Sequence, residues 1–125
     1  MSNVHIVGID PSGNMMPVKV DGSGNLQSVV AASTVTYTDR SGTIATGGAA
    51  QQIAAANASR KGFFVQNVSV GDLSISSLAT AVQSQPSLKI PAGALYEFPA
   101  SVGVPAGAIS IIGATTGQAF TAREW

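Results

Sequence analysis

The stretch GFFVQNVSVGDLSIS, residues 62–76, decides the fold of this protein. Alternation along its first half places Phe63 and Val65 on one face of a strand and Phe64 on the other. Val70-Gly71-Asp72 then interrupts the pattern with turn-forming residues. The stretch therefore predicts two strands joined by a turn, Gly62–Val68 and Leu73–Ser76.

Residues 37–125 contain further short runs of the same kind. Turns that contain glycine or proline separate these runs. Turn signals about every 8–12 residues are typical of β-sandwiches and jelly rolls. The further predicted strands are Tyr37–Thr38, Gln52–Ala55, Leu88–Ile90, Leu95–Phe98, Ala108–Ile112 and Ala119–Arg123. We predict an all-β fold, with an antiparallel β-sandwich or jelly-roll-like domain over residues 37–125.

One segment is ambiguous, because Ala49–Ala58 is rich in alanine and glutamine and suits a short helix by propensity. It lacks charges and capping residues, and its flanks contain glycine. A strand followed by a loop is therefore the favoured interpretation.

The first thirty residues contain an internal repeat with an offset of eleven positions, in which VGIDPSGNM is followed by VKVDGSGNL. The shared Asp, Ser, Gly and Asn form turns, and the flanking residues alternate as strands do. The repeat predicts a small three-stranded meander, Val4–Ile9, Met15–Val20 and Leu26–Val30. Residues 1–36 then form an extended N-terminal β arm with its linker. So small a unit has little core of its own, and we expect it to dock on another protein.

Charged residues make up only 10% of the chain, with six basic and six acidic side chains and a net charge of zero, against about 25% in an average soluble domain. This balance argues against nucleic acid or an anionic membrane as partner. No basic segment precedes an apolar run at the N-terminus, so we expect no signal peptide. A foldable chain with so little surface charge lacks the repulsion that discourages association. We infer that much of its surface is covered in use.

No motif in the sequence indicates catalysis, a cofactor or a metal. The Asp-x-Ser-x-Asn repeats starting at Asp10 and Asp21 resemble the opening of a calcium loop, but both lack its glycine at the sixth position. The only histidine, His5, has no nucleophile or acid near it in sequence. The pair Arg60-Lys61 is too small to form a nucleic-acid-binding patch. We interpret it as two solvated residues at the start of a strand. We expect a non-enzymatic protein.

One enzymatic alternative stays open. A glycosidase needs two carboxylates, and folding can bring together residues that lie far apart in sequence. The candidates for such a pair are Asp39, Asp72, Glu97 and Glu124.

Several stretches resemble small virion proteins of tailed bacteriophages. They are PVKVDGSGNLQ at 17–27, NASRKGFFVQN at 57–67 with Gly71-Asp72-Leu73, IPAGALYE at 90–97 and GATTGQAFTAREW at 113–125. The resemblance spans most of the chain and implies a β-sandwich component of the particle, commonly trimeric and non-enzymatic.

The leading hypothesis is a capsid decoration or cement protein that binds and stabilises the head shell as a homotrimer. Its partners would be the major capsid protein and copies of itself. It would be made in the host cytoplasm and would then lie on the outer surface of the phage head. The alternative is a head, neck or tail fibre component that contacts a host-surface glycan or protein.

The residues predicted to make these contacts are apolar and lie in the arm, on the aromatic strand and at position 125. One phenylalanine of the pair 63–64 would lie in the core and the other in a subunit contact, although a strand buried on both faces within one monomer explains the pattern equally well. Trp125 follows an alternating segment, so we expect it to pin the last strand or a neighbour. The candidate interaction residues are Ile6, Ile9, Met15, Met16, Val18, Val20, Leu26, Phe63, Phe64 and Trp125.

Overall fold

The structure is a computed structural model that describes residues 7–9, 11–17, 22–25 and 34–125. The chain divides into two compact units, Met1–Thr34 and Val35–Trp125. Every regular element in the described residues is a β-strand. These are β1 (Val7–Ile9), β2 (Met15–Pro17), β3 (Thr38–Asp39), β4 (Gly42–Thr43), β5 (Gln51–Ala54), β6 (Phe63–Asn67), β7 (Leu73–Ser76), β8 (Leu88–Ile90), β9 (Leu95–Glu97), β10 (Ile109–Gly113) and β11 (Ala119–Glu124).

The first unit contains an antiparallel hairpin in which β1 pairs with β2, Val7 opposite Pro17 and Ile9 opposite Met15. Gly13 and Gly24 occupy equivalent places in the sequence repeat, and both have a left-handed backbone, with φ of 85° and 82°. Glycine adopts this conformation without steric cost, which explains the repeated Ser-Gly-Asn turn. The predicted third strand, Leu26–Val30, lies outside the described residues.

The second unit is a β-sandwich, as the sequence predicted. One sheet has the strand order β3-β11-β6-β9, with β4 also paired to β11, and the other has the order β5-β10-β7-β8. All of their strand pairs are antiparallel. The ambiguous alanine-rich segment contains strand β5, so the strand interpretation is correct.

The core lies between the two sheets, and strands β6 and β11 contribute alternate residues to it. On β6, Phe63, Val65 and Asn67 are buried while Phe64 and Gln66 are only partly so. The apolar side chains with no exposed surface come from both sheets and the loop after β4. They are Ile44, Phe63, Val65, Leu73, Ile75, Ile109, Ile111 and Ala122.

Asn67 is a polar residue with no exposure, and it joins the two sheets. Its amide nitrogen donates to the carbonyl oxygens of Gly71 at 2.7 Å and Ile90 at 2.9 Å. Its oxygen accepts from the backbone N–H of Ser69 at 2.9 Å. Together these bonds satisfy the polar atoms of the buried Asn67 side chain.

The outer faces of the two sheets differ in how they are covered. Over the four-stranded sheet, Ala81 of the β7–β8 loop is buried, and its N–H donates to Ser110 Oγ at 2.9 Å. On the five-stranded sheet, the outward side chains of β6, β9 and β11 are partly or wholly exposed. The five-stranded sheet therefore presents the more open face.

Candidate interaction face

The open face of the five-stranded sheet carries a row of side chains set by the strand register. Arg123 on β11 stands opposite Asp39 on β3 and opposite Phe64 on β6, and Phe64 in turn stands opposite Glu97 on β9. The neighbouring row places Gln66 between Thr121 and Leu95. We call these residues, together with Tyr37 and Trp125, the outer face.

Trp125 extends the β11–β6 register by one residue and stands opposite Gly62. The two residues exchange both backbone hydrogen bonds, from Trp125 N–H to Gly62 O at 3.1 Å and from Gly62 N–H to Trp125 O at 3.0 Å. Because Ala122 and Glu124 point into the protein, alternation directs the Trp125 side chain onto the outer face.

The indole of Trp125 lies flat against Gly62. A Cβ at residue 62 would be 2.0 Å from Cζ2, 2.1 Å from Cε2 and 2.6 Å from Cη2 of the indole. Such similar distances to three ring atoms place that point over the ring face and not beyond its edge. Aromatic residues paired with a glycine in this way cover the backbone that the missing side chain leaves open. One face of the indole is therefore packed on the strand, and Trp125 as a whole is partly exposed.

Two further rings flank the indole. Tyr37 meets it edge-on, with ring centroids 5.3 Å apart and planes at 67°, and Phe64 lies 6.3 Å away at 55°. Tilted contacts of this kind are the favoured geometry for aromatic pairs. Tyr37 is 54% exposed, and Phe64 and Trp125 are partly exposed, so the three rings form an aromatic platform at the surface.

Charges of both signs surround the platform. Asp39 lies opposite Arg123, and its carboxylate accepts the Ser41 N–H at 2.9 Å. Hydrogen bonding by the side chain and backbone of Ser41 lowers the pKa of Asp39, and the charge of Arg123 lowers it further. Glu97 is exposed on the other side of Phe64. The face thus presents both donors and acceptors around an apolar centre.

A buried ion network lies beneath this face. The Glu124 carboxylate receives Arg60 Nε at 2.9 Å on one oxygen and Arg40 Nη2 at 2.6 Å on the other. The Arg60 side chain has no exposure, whereas that of Arg40 is 35% exposed. Burial would raise the pKa of Glu124, but hydrogen bonds and charge from Arg40 and Arg60 outweigh it and hold the pKa below its ordinary value.

Arg60 is therefore not a solvated residue, and the prediction from the Arg60-Lys61 pair was wrong for it. Its guanidinium also donates to the carbonyl oxygens of Ala55 at 2.6 Å, Gly107 at 2.9 Å and Pro105. It lies 5.9 Å from the centre of the Phe63 ring. A planar guanidinium with five donors suits such a set of acceptors, which a lysine ammonium could not match.

The predicted interaction residues occupy different environments. Phe63 is buried in the core, whereas Phe64 and Trp125 lie on the outer face. Ile9 in β1 is 73% exposed. Met15 and Met16 lie in β2, but their side chains, like all of Ile6, Val18, Val20 and Leu26, lie outside the described residues.

The carboxylates considered for a glycosidase pair are held in different ways. Glu124 is bound by two arginines, and Asp72 forms an ion pair with Lys89 at 2.6 Å. Asp39 and Glu97 belong to the outer face. In the part of the chain that the structure describes, no three His, Asp or Glu side chains form a group that could hold a metal, and no helix is long and apolar enough to cross a membrane.

Sequence reasoning missed Tyr37, Gly62 and Arg40 as parts of this region. Tyr37 and Trp125 lie 88 positions apart in the sequence (125 − 37), and no local pattern links residues at that distance. Gly62 did carry a signal, because a glycine at the start of an aromatic strand indicates close approach by another group.

Comparison of the chain with protein-family models, with curated proteins and with solved structures gives no match. Fold and geometry alone define its class. It is a β-sandwich protein with an open aromatic sheet face.

We expect Gly62→Ala to displace the indole of Trp125, because the new methyl group would lie about 2 Å from the ring. Trp125 is the only tryptophan, so its fluorescence reports the change directly as a red shift and greater quenching by iodide. The control is Gly107→Ala, where the nearest atom to the new Cβ is 3.9 Å away. Identical spectra for both variants would contradict the face-on packing.

Proposed function

We propose that the protein is a non-enzymatic virion structural protein of a tailed bacteriophage. In this proposal it is a decoration or cement protein that binds the major capsid protein, stabilises the head shell as a homotrimer and lies on the outer surface of the head. The resemblance of residues 17–27, 57–67, 90–97 and 113–125 to such virion proteins supports the class.

The observation that carries the proposal is the character of the surface. The chain has twelve charged side chains (six plus six), and Arg60 and Glu124 are buried. Among the described residues, ten large apolar side chains are exposed, including Val70 at 102%, Leu78 at 82% and Val102 at 81%. Scattered exposed apolar residues are common, but here they accompany a shortage of the charges that oppose association. A surface of this kind suits a protein that works while bound to neighbours.

The division into two units supports a role in bridging. The sandwich unit has a complete core, whereas the first unit contains a short hairpin with an exposed Ile9. An isolated hairpin is marginal in water and gains stability by docking. In a trimer, each bound arm raises the effective concentration of the other two arms, so three weak contacts together give tighter binding. Cyclic symmetry allows every copy to use the same patch.

Heat challenge of phage particles tests the cement role. We expect particles that lack the protein to release their DNA at a lower temperature than complete particles, because the shell loses its external contacts. Adding back the full-length protein should restore the original release temperature. Ile9→Asp should restore it less well than the matched variant Val102→Asp, which also adds a charge at an exposed apolar position.

Equal release temperatures with and without the protein would refute the cement role. The copy number on each particle then distinguishes the cement role from the alternative, a fibre component that contacts a host glycan or protein. Cement requires hundreds of copies on each particle, whereas fibres require about a dozen to a few tens. The aromatic outer face is the observation that favours this alternative.

A further inference from the structure

We propose that the outer face is a saccharide-binding platform for a neutral, hexose-containing glycan chain. Trp125 provides the centre of the platform, because one face of its indole is packed on Gly62 and the residue is partly exposed on the outer face. A flat aromatic surface of this kind suits the C–H face of a sugar ring, which is apolar and has the same width. This inference does not depend on where the protein lies on a particle.

The groups around the rings match the hydroxyl groups of a sugar. Arg123 supplies donors, Asp39 and Glu97 supply acceptors, and the Gln66 amide supplies both. All four belong to the two adjacent rows defined by the β3, β11, β6 and β9 register. The side chains that line ligand sites are typically apolar or aromatic with a few placed polar groups, and the outer face has this composition.

The signs of these charges favour a neutral ligand. A phosphate or polyanion would be opposed by Asp39 and Glu97 on both sides of the platform, and a cation would be opposed by Arg123 between them. An aromatic box for a quaternary ammonium group needs rings that stand apart around a space. Tyr37 and Trp125 instead contact each other, with centroids 5.3 Å apart, so there is no box between them.

The size of the outer face favours a slender ligand over a second copy of the chain. Four strands about 4.8 Å apart and four residues rising about 3.3 Å each span roughly 14 Å by 13 Å, an area on the order of 200 Å². A stable protein interface needs about 800 Å² from each partner. The outer face is thus several times too small to form a stable protein interface by itself, but it is long enough for a short run of sugar rings.

Binding is tested on the purified full-length protein with neutral oligosaccharides of four to six units from the malto-, cello- and galacto- series. We expect at least one series to change Trp125 fluorescence saturably, with matching heats in calorimetry. Tyr37→Ala and Arg123→Gln should each weaken that binding about tenfold. The control Leu78→Ala, at an exposed position on the loop of the other sheet, should change it less than twofold.

Three results would overturn the inference. The first is the absence of saturable binding in all three series, and the second is binding that Tyr37→Ala leaves unchanged. The third is self-association, measured by sedimentation, that Tyr37→Ala abolishes while no saccharide binds, because the platform would then belong to a second copy. None of these results bears on the particle heat challenge, so the cement proposal and this inference fail separately.

Discussion

Arg60→Ala is expected to destabilise the sandwich by about 3–5 kcal/mol, because it leaves the buried Glu124 carboxylate without its deepest partner. The substitution also removes the donor to the carbonyls of Ala55, Pro105 and Gly107, and each buried group left without a partner adds to the cost. Typical domains are stable by only about 5–15 kcal/mol. Urea unfolding followed by Trp125 fluorescence measures the loss.

Arg40→Ala is the matched control, because Arg40 binds the same carboxylate from a position that is 35% exposed. Water can replace an exposed guanidinium, so we expect a loss of about 1 kcal/mol or less. Arg60→Lys should recover little stability, since one ammonium cannot reach a carboxylate and three carbonyls at once. Equal losses for Arg60→Ala and Arg40→Ala would refute the assignment of Arg60 as the buried centre of the network.

The same network has a signature in the pH dependence of stability. The pKa of Glu124 is lower in the folded protein than its ordinary value of 4.5, so the unfolded chain takes up a proton first as the pH falls. The contribution of Glu124 is therefore complete above pH 4.5 and is lost as the pH falls through the lower folded pKa. In Glu124→Gln this loss should be smaller, which urea titrations between pH 3 and 7 would reveal.

The strands could be predicted from the sequence where turn residues bound a short alternating run. Leu73–Ser76 and Leu88–Ile90 have the predicted bounds, because Gly71-Asp72 precedes the first and Pro91 follows the second. Gly42–Thr43, strand β4, could not be predicted, because two residues show no periodicity. It pairs with β11, and Gly42 lies against the ring of Phe120, where a Cβ would be 3.3 Å from Cζ. Tertiary packing and not local propensity makes this strand.

The candidate site was predictable only in part. Alternation separated Phe63 from Phe64, and the structure has the first in the core and the second on the outer face. The ion network was not predictable, because Arg60 and Glu124 lie 64 positions apart. A charged residue also gives no sign in sequence of whether it is buried. Only the fold brings Glu124 to Arg60, and without this partner the burial of the Arg60 charge would be strongly unfavourable.

The neighbouring phenylalanines provide the most direct test of this face assignment, because they are identical residues on opposite sides of one strand. Phe63 has no exposure and packs against Phe98, with ring centroids 5.9 Å apart. Phe63→Ala should therefore cost about 3–5 kcal/mol through lost burial and the cavity left behind.

Phe64→Ala should cost about 1 kcal/mol, because Phe64 is only partly buried and loses mainly its tilted contact with Trp125 at 6.3 Å. Both substitutions remove the same atoms from adjacent residues, so differences in β propensity and in the unfolded chain largely cancel. Urea unfolding of the two variants in parallel isolates the effect of the face. A Phe64→Ala loss as large as that of Phe63→Ala would mean that β6 is buried on both sides, and the outer face would then be closed to any ligand.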